Sequence, residues 1–334
     1  MNKNKGIFIA WIKFQRRAFS MQPFFDFDLN FINTNIKKKK LKILDYLIKA
    51  IKTVKTLCFN KDKVIWIQLP PTPLLTILLI YKKIYKNKII IADCHNGLFN
   101  KKWEKYLNKA KSLNKVDLII THNHVIRDLA IEIGVDSNKL FVLETKPAYK
   151  NLKNVENYIS KYNSPWILMP CGFAEDEPMS VVFEAARLIP EVTFVISGNK
   201  NRAEGIHDLT KAPSNINFTG YLTTEEYEGL FSSADAVLGL TTEHHVQLSV
   251  ANEATGFEKP MILSDTKLLR ELFNKGAVYV ETLDSKSMSS GIKEAIRNKI
   301  ELGKEVKILK EERNQKWENQ ALTIKKEINK LIVK

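Results

Sequence analysis

The stretch INFTGYLTTEEYEGLFSSADAVLGLTTEHHVQLSVANEATGFEKPMILSD, residues 216–265, alternates two periodicities. INFTG, AVLGL and PMILS are short runs bounded by polar or turn residues, as buried strands are. Between them, 223–232 and 246–257 have helical spacing. Strand, helix and strand in tight succession build a parallel sheet through crossover connections. The same alternation extends outward. WILMP and VTFVIS precede it, AVYVE follows it, and helical stretches lie near 178–188, 266–274 and 286–299. Six strands alternating with helices predict a doubly wound sheet.

The first half of the chain repeats the pattern in outline. GIFIAWI, VIWIQL, KIIIAD, DLIIT and LFVL read as strands, with helices over roughly 39–58, 73–86, 101–112 and 123–134. A polar linker, ETKPAYKNLKNVENYISKYNSP at 144–165, separates the halves. The expected class is α/β: two tandem doubly wound, Rossmann-like domains, 1–150 and 151–334, with a cleft between them. A long polar helix from about 302 to 332 ends the chain, carrying Ile308, Leu309, Trp317, Leu322, Ile324, Ile328 and Leu331. In such sheets ligands bind beyond the carboxyl ends of the strands.

Length and composition agree: 334 residues suit two domains, and 44% apolar with 27% charged residues is globular. The +15 net charge is uneven. Residues 1–150 hold 29 Lys or Arg against 11 Asp or Glu, the remainder 23 against 26. Genome composition is one source of such a bias. A domain facing an anionic partner, such as a membrane surface, is the other. Cys58, Cys94 and Cys171 are odd in number and show no CxxC spacing, which suits a reducing cytoplasm and buried apolar roles. No signal peptide is expected from MNKNKGIFIAWIKFQRR. Gln68, Pro70, Pro71 and Pro73 interrupt the longest apolar run, Val64 to Tyr81, so it reads as strand, turn and helix rather than a membrane span.

The chemistry concentrates at strand ends. A helix starting near Val246 would offer free N–H groups to a diphosphate. Glu253 would then lie roughly 8–10 Å further along, within reach of ribose hydroxyls. A solvated amphipathic helix is the plainer reading of the same spacing. Asp93, His95 and Asn96 follow one N-terminal strand, where an acid or imidazole could deprotonate an acceptor hydroxyl or simply cap a helix. His122, Asn123 and His124 follow the next and carry the same two readings. Trp11, Arg16 and Arg17 follow the first strand, and the two arginines could grip a phosphate or begin a solvated helix. Lys37 to Lys40 precede a helix with Leu41, Leu44, Leu47, Ile48 and Ile51 at apolar spacing. That helix is either a core helix with a solvated face or a basic helix beside a membrane.

Glu253-Ala254, Lys259-Pro260 and then MILSD together resemble the donor-binding segment of GT-B glycosyltransferases. INFTGYLTTEEYEGLFSSADAVLGLT resembles their base-binding stretch, and WILMPCGFAEDEP their first donor-domain strand and loop. The resemblance covers about 165–300. It implies a metal-independent transferase without a cofactor, taking a UDP- or GDP-type nucleotide sugar. The acceptor would be a glycan or lipid-linked hydroxyl in cell-surface polysaccharide synthesis. It implies donor contacts at Gly172, Gly198, Lys200, Arg202, Tyr221, Leu222, His245, Val246, Gln247, Ser249 and Glu253. Acceptor or phosphate contacts fall to Arg16, Arg17, Asn96 and His122, and catalysis to Asp93 and His95. Retaining members carry a second Glu eight residues before the Glu-Ala glutamate; here His245 stands there, with Glu243 nearby. The Arg and Lys expected in the 171–178 loop are replaced by Asp176 and Glu177. This leaves stereochemistry open. It also leaves room for a non-catalytic partner subunit or a nucleotide-sugar epimerase of the same architecture.

Other classes are disfavoured. No GxGxxG or Walker loop occurs, Ser197-Gly198-Asn199 being the nearest. No nucleic-acid motif accompanies the basic half. Asp26-Phe27-Asp28 matches a metal-binding DxD in form alone. The expected location is the cytoplasm, with peripheral attachment to the inner face of a membrane as one reading.

Overall fold

A computed structural model describes residues 5–34, 36, 39–99, 108–148 and 160–333. Lys37 and Lys38, residues 101–107 of one expected helix and residues 149–159 of the linker lie outside the described residues. The chain forms two compact units, Met1–Thr145 with Lys316–Lys334, and Lys146–Gln315.

The first unit runs β1 (Gly6–Ala10), α1 (Arg16–Phe25), β2 (Phe27–Phe31), α2 (Lys42–Phe59), β3 (Val64–Leu69), α3 (Thr72–Ile84), β4 (Ile89–Cys94), α4 (Lys109–Leu113), β5 (Leu118–Thr121), α5 (His124–Glu132) and β6 (Leu140–Val142). Its sheet order is β2-β1-β3-β4-β5-β6, every pair parallel. Alternation within each strand serves two cores. Ile7, Ile9, Ile65 and Ile67 face one cluster, while Phe8, Ala10, Val64 and Trp66 face the other. A strand buried on both faces therefore reads as continuously apolar.

The second unit runs β7 (Trp166–Pro170), α6 (Met179–Leu188), β8 (Thr193–Ser197), β9 (Ile216–Gly220), α7 (Thr224–Ser233), β10 (Ala236–Gly239), α8 (Ser249–Phe257), β11 (Met261–Ser264), α9 (Lys267–Leu272), β12 (Ala277–Val280) and α10 (Ser285–Arg297). α11 (Lys299–Val333) follows. The order β12-β11-β10-β7-β8-β9 reverses direction between β7 and β10, the position where doubly wound sheets open a ligand crevice.

The long terminal helix is expected with the second domain, but its end packs in the first. Trp317, Ala321, Ile324 and Ile328 fill the core around Phe8, Phe25 and Trp66. Up to Gln315 its residues belong to the second unit, where Arg313 donates to the Leu272 carbonyl at 2.7 Å and to Asn252 Oδ1 at 2.9 Å. Ile308 and Leu322, counted as apolar-face residues from sequence, are exposed.

Further details depart from the sequence reading or complete it. The helix start read at Arg16 and Arg17 is the start of α1, which Pro23 lies inside, whereas β2, a short edge strand, has no counterpart in the sequence reading. The two acids of the DxD look-alike serve that edge. Asp26 ends α1 in the left-handed region (φ 53°), and Asp28 pairs with Lys5 at 2.9 Å. Cys58 is exposed, whereas Cys94 and Cys171 are buried. Of the two readings of the helix after Lys37–Lys40, the core one does not hold for Leu41, just before α2, nor for Leu44, Leu47 and Ile51 on it, which are exposed.

Candidate functional site

In the second unit the site forms at the β7/β10 reversal. The loop leaving β7 is closed by its own acid. Glu177 accepts the backbone N–H of Gly172 at 3.1 Å and of Ala174 at 2.9 Å. Asp176 ties this loop to the one leaving β10, accepting the Thr241 hydroxyl at 2.6 Å on its carboxylate and the Thr242 N–H at 3.0 Å on its carbonyl. Of the two acids, Glu177 thus closes its own loop and Asp176 ties that loop to the next. Burial, with the Glu177 carboxylate beside it, pushes the Cys171 thiol up to about 12, so it stays protonated at the loop's base.

Gly198 is required here by close approach. Its φ is +146°, and a Cβ would lie 2.1 Å from the Cys171 carbonyl oxygen. A Cβ on Gly172 would lie 3.9 Å from the Arg202 guanidinium, which places Arg202 beside the β7 loop. Lys200 and Arg202 are exposed on the turn after β8, with the Lys200 ammonium 5.8 Å from the Phe218 ring centre. Tyr221 is 91% exposed just beyond Gly220, and Leu222 is half-buried.

α8 begins at Ser249 rather than near Val246; residues 246–248 are loop. No side chain caps its first turn. Ser249 is exposed there, whereas Val250 and Ala251 behind it are buried; the first N–H groups of a helix have no partner within the helix itself. Glu253 then lies only about 6 Å along the axis from Ser249. It is half-buried and accepts the Tyr227 hydroxyl from α7. Tyr227 escaped the sequence reading because its partner is 26 residues away. His245 is half-buried with Nδ1 3.7 Å from Glu243 Oε2, so the displaced acid of the sequence comparison sits beside the imidazole. Gln247 donates to Asn252 Oδ1 at 3.2 Å, which anchors the loop to α8, and Val246 is half-buried. Lys259 of the Lys-Pro pair donates to the Ala234 carbonyl at 3.0 Å, a tie within the unit.

In the first unit the expected residues gather but divide their roles. Asp93 ends β4 fully buried. The Arg17 guanidinium contacts it at 3.2 Å and donates to the carbonyls of Leu143 at 2.8 Å and Glu144 at 2.9 Å. Burial works to raise the Asp93 pKa, but Arg17 and the neighbouring His122 overcome it and hold the carboxyl well below the usual range. A shielded carboxylate of this kind is a poor proton acceptor, and its contacts here are to Arg17, His95 and His122. Arg17, expected to grip a phosphate, is instead buried and spent on Asp93 and two carbonyls. His122 Nε2 lies 3.4 Å from Asp93. Burial, Arg17 and His95 lower its pKa to about 3, so it is a neutral imidazole packed inside the unit. His95 Nε2 lies 3.6 Å from Asp93 and its ring sits 4.1 Å from that of His122, yet its side chain keeps 23% exposure. Asn123 caps α5 through the Ile126 N–H at 2.9 Å. Arg16 and Asn96 are half-buried.

Ligand atoms of Asp93, His95 and His122 lie within 4.8 Å of one another, a spacing compatible with a metal ion. The Arg17 guanidinium already supplies the positive charge at that carboxylate. Among the described residues no helix is long and apolar enough to cross a membrane.

Two parallel, doubly wound units with these strand orders and a long terminal helix define the GT-B fold. Residues 159–321, which span β7 to the middle of α11, match the family glycosyl transferases group 1. Over 99% of both chains the structure is similar to Anabaena HepE, solved with UDP and glucose, at TM-score 0.71 and 12% identity. It is similar to sucrose-phosphate synthase from Thermosynechococcus elongatus at TM-score 0.70 and 13% identity, covering 99% of this chain and 100% of that one. The UDP-GlcNAc 2-epimerase of Methanocaldococcus jannaschii gives TM-score 0.56 at 15% identity, covering 92% and 98%. No curated protein matches the sequence.

Proposed function

We propose that the chain is a metal-independent hexosyltransferase that moves a sugar from a nucleoside-diphosphate sugar to a glycan or lipid-linked hydroxyl in cell-surface polysaccharide synthesis, at the cytoplasmic face of a membrane. The observation that carries the reading is the pairing, within the family-matched segment, of the uncapped α8 start with Glu253 on the same helix. The N–H groups that no side chain caps and the helix dipole suit a diphosphate, and the carboxylate suits the ribose diol. Lys200 and Arg202 supply the positive charge that Asp176 and Glu177 do not. Tyr221 and Leu222 flank the base, and HepE, with UDP in its structure, favours uracil. Gly172, Gly198, His245, Val246, Gln247 and Ser249 line the sugar and phosphate side. In the first unit His95, oriented by Asp93, is the residue for the acceptor hydroxyl.

A thermal-shift screen against UDP, GDP, CMP and their sugars, with and without EDTA, tests this. One nucleotide should raise the melting temperature, and the rise should survive EDTA. In Glu253→Ala, which also loses the Tyr227 hydrogen bond, the same nucleotide should bind about 1–3 kcal/mol more weakly to the folded protein. Absence of any shift would leave a non-catalytic partner subunit as the better reading. Similarity to an epimerase keeps a second reaction open. Release of an epimerised sugar nucleotide without any acceptor would favour it.

A further inference from the structure

Helix α2 is docked with its polarity reversed. Its buried residues are Asp45, Lys49, Thr53 and Leu57, a single stripe at four-residue spacing. Three of the four are polar, and they are satisfied inside the unit. Lys49 Nζ holds Asp45 at 2.9 Å, the Thr34 hydroxyl donates to the same carboxylate, and the Trp11 indole donates to Thr53 Oγ1 at 2.8 Å. The opposite face is apolar and exposed. Ile43 is 77% exposed and Ile51 68%, with Leu44, Leu47 and Val54 also exposed. At 3.6 residues per turn these five fall within about 100° of the helix circumference. Phe59 extends the surface at the helix end with 78% exposure. Apolar side chains left in water forgo the stabilisation of burial, so a continuous exposed stripe marks a surface that something else covers.

The charge around the stripe says what covers it. Lys40, Lys42, Lys52 and Lys55 are exposed beside or at the ends of the helix. Residues 37–63 hold ten lysines against only Asp45 and Asp62, and Asp45 is already paired. A second copy would set lysines against lysines. An anionic bilayer offers phosphates to the lysines and an acyl boundary to the isoleucines and leucines. We propose that the exposed face of α2 docks on an anionic lipid surface, with Ile43, Leu47, Ile51 and Val54 entering the headgroup boundary. The docking face builds on the membrane location and lipid-linked acceptor of the proposed function, but requires neither donor binding nor transfer.

The test is cosedimentation of the full chain, without nucleotide, on vesicles of phosphatidylcholine alone or mixed with phosphatidylglycerol. The protein should pellet with the anionic vesicles, remain free with the neutral ones and release at high salt. Leu47→Asp/Ile51→Asp and, separately, Lys52→Glu/Lys55→Glu should each weaken binding about tenfold or more at unchanged melting temperature, since all four residues are exposed. Indifference of the wild type to lipid charge overturns the proposal. So does undiminished binding by the apolar variant, or a wild-type dimer in light scattering that this variant dissociates. Vesicle binding without any nucleotide shift would sink the transferase reading and leave the docking face standing.

Discussion

The same topological position, the loop beyond a parallel strand's carboxyl end, is used in opposite ways in the two units. After β4 the ionisable groups face each other. Asp93, Arg17 and His122 are buried, and only His95 keeps part of its imidazole outside. After β7 and β10 the acids are spent on backbone and hydroxyl donors, while Lys200, Arg202, Tyr221 and Ser249 remain exposed. Charges turned inward fix one side chain in place, whereas charges left outward can meet a ligand. A buried ion pair contributes little net stability as a pair, but breaking it is costly because the remaining charge is uncompensated.

The sharpest way to break the contrast is Arg17→Met. It leaves Asp93 buried and unpaired, so denaturant unfolding should show a loss of about 3–5 kcal/mol. A loss under about 1 kcal/mol would mean that Asp93 is solvated and the inward cluster is not what holds the unit. Next in size is His95→Ala. Transfer should fall about 100-fold or more in kcat. Nucleotide affinity should be unchanged, because the residues proposed for the donor belong to the second unit. A change confined to nucleotide affinity would move His95 out of its acceptor role.

The most gradual effect is in pH dependence. His122 stays neutral in the fold down to about 3, against an ordinary value of 6.5. Stability should therefore be level above about pH 6.5. It should then fall by up to about 1.4 kcal/mol per pH unit as the unfolded chain alone takes up the proton. The Asp93 carboxyl adds its own loss only below 3.8, so His122 can be read separately above that. His122→Asn should flatten the slope between pH 6.5 and 4 in denaturant titrations. An unchanged slope would place the responsible group elsewhere.

What could be read from the chain follows periodicity. The alternation from 166 to 281 located all six strands of the second sheet, because buried parallel strands and their crossover helices each leave a local signature. Five strands of the first sheet were legible for the same reason. β2 was not, since an edge strand of five residues with Asp28 and Asn30 carries no continuous apolar run. The start of α8 was placed three residues early, because Val246 fits the apolar spacing and only the backbone shows that 246–248 are loop.

The sequence by itself determined the two-sheet α/β architecture and the segment where a nucleotide sugar would be sought, since both rest on patterns a few residues long. The tertiary structure decided the rest. Arg17 finds Asp93 across 76 residues only because the sheet places β4 in its interior, within reach of the start of α1. The residues beyond Gln315 join the first unit because Trp317, Ile324 and Ile328 find its open sheet face. α2 turns Asp45, Lys49 and Thr53 inward because Trp11 and Thr34 are there to bond them. Partners brought together by sheet register leave no trace at helical or strand spacing, so the face a helix buries and the charge an acid meets are properties of the folded molecule.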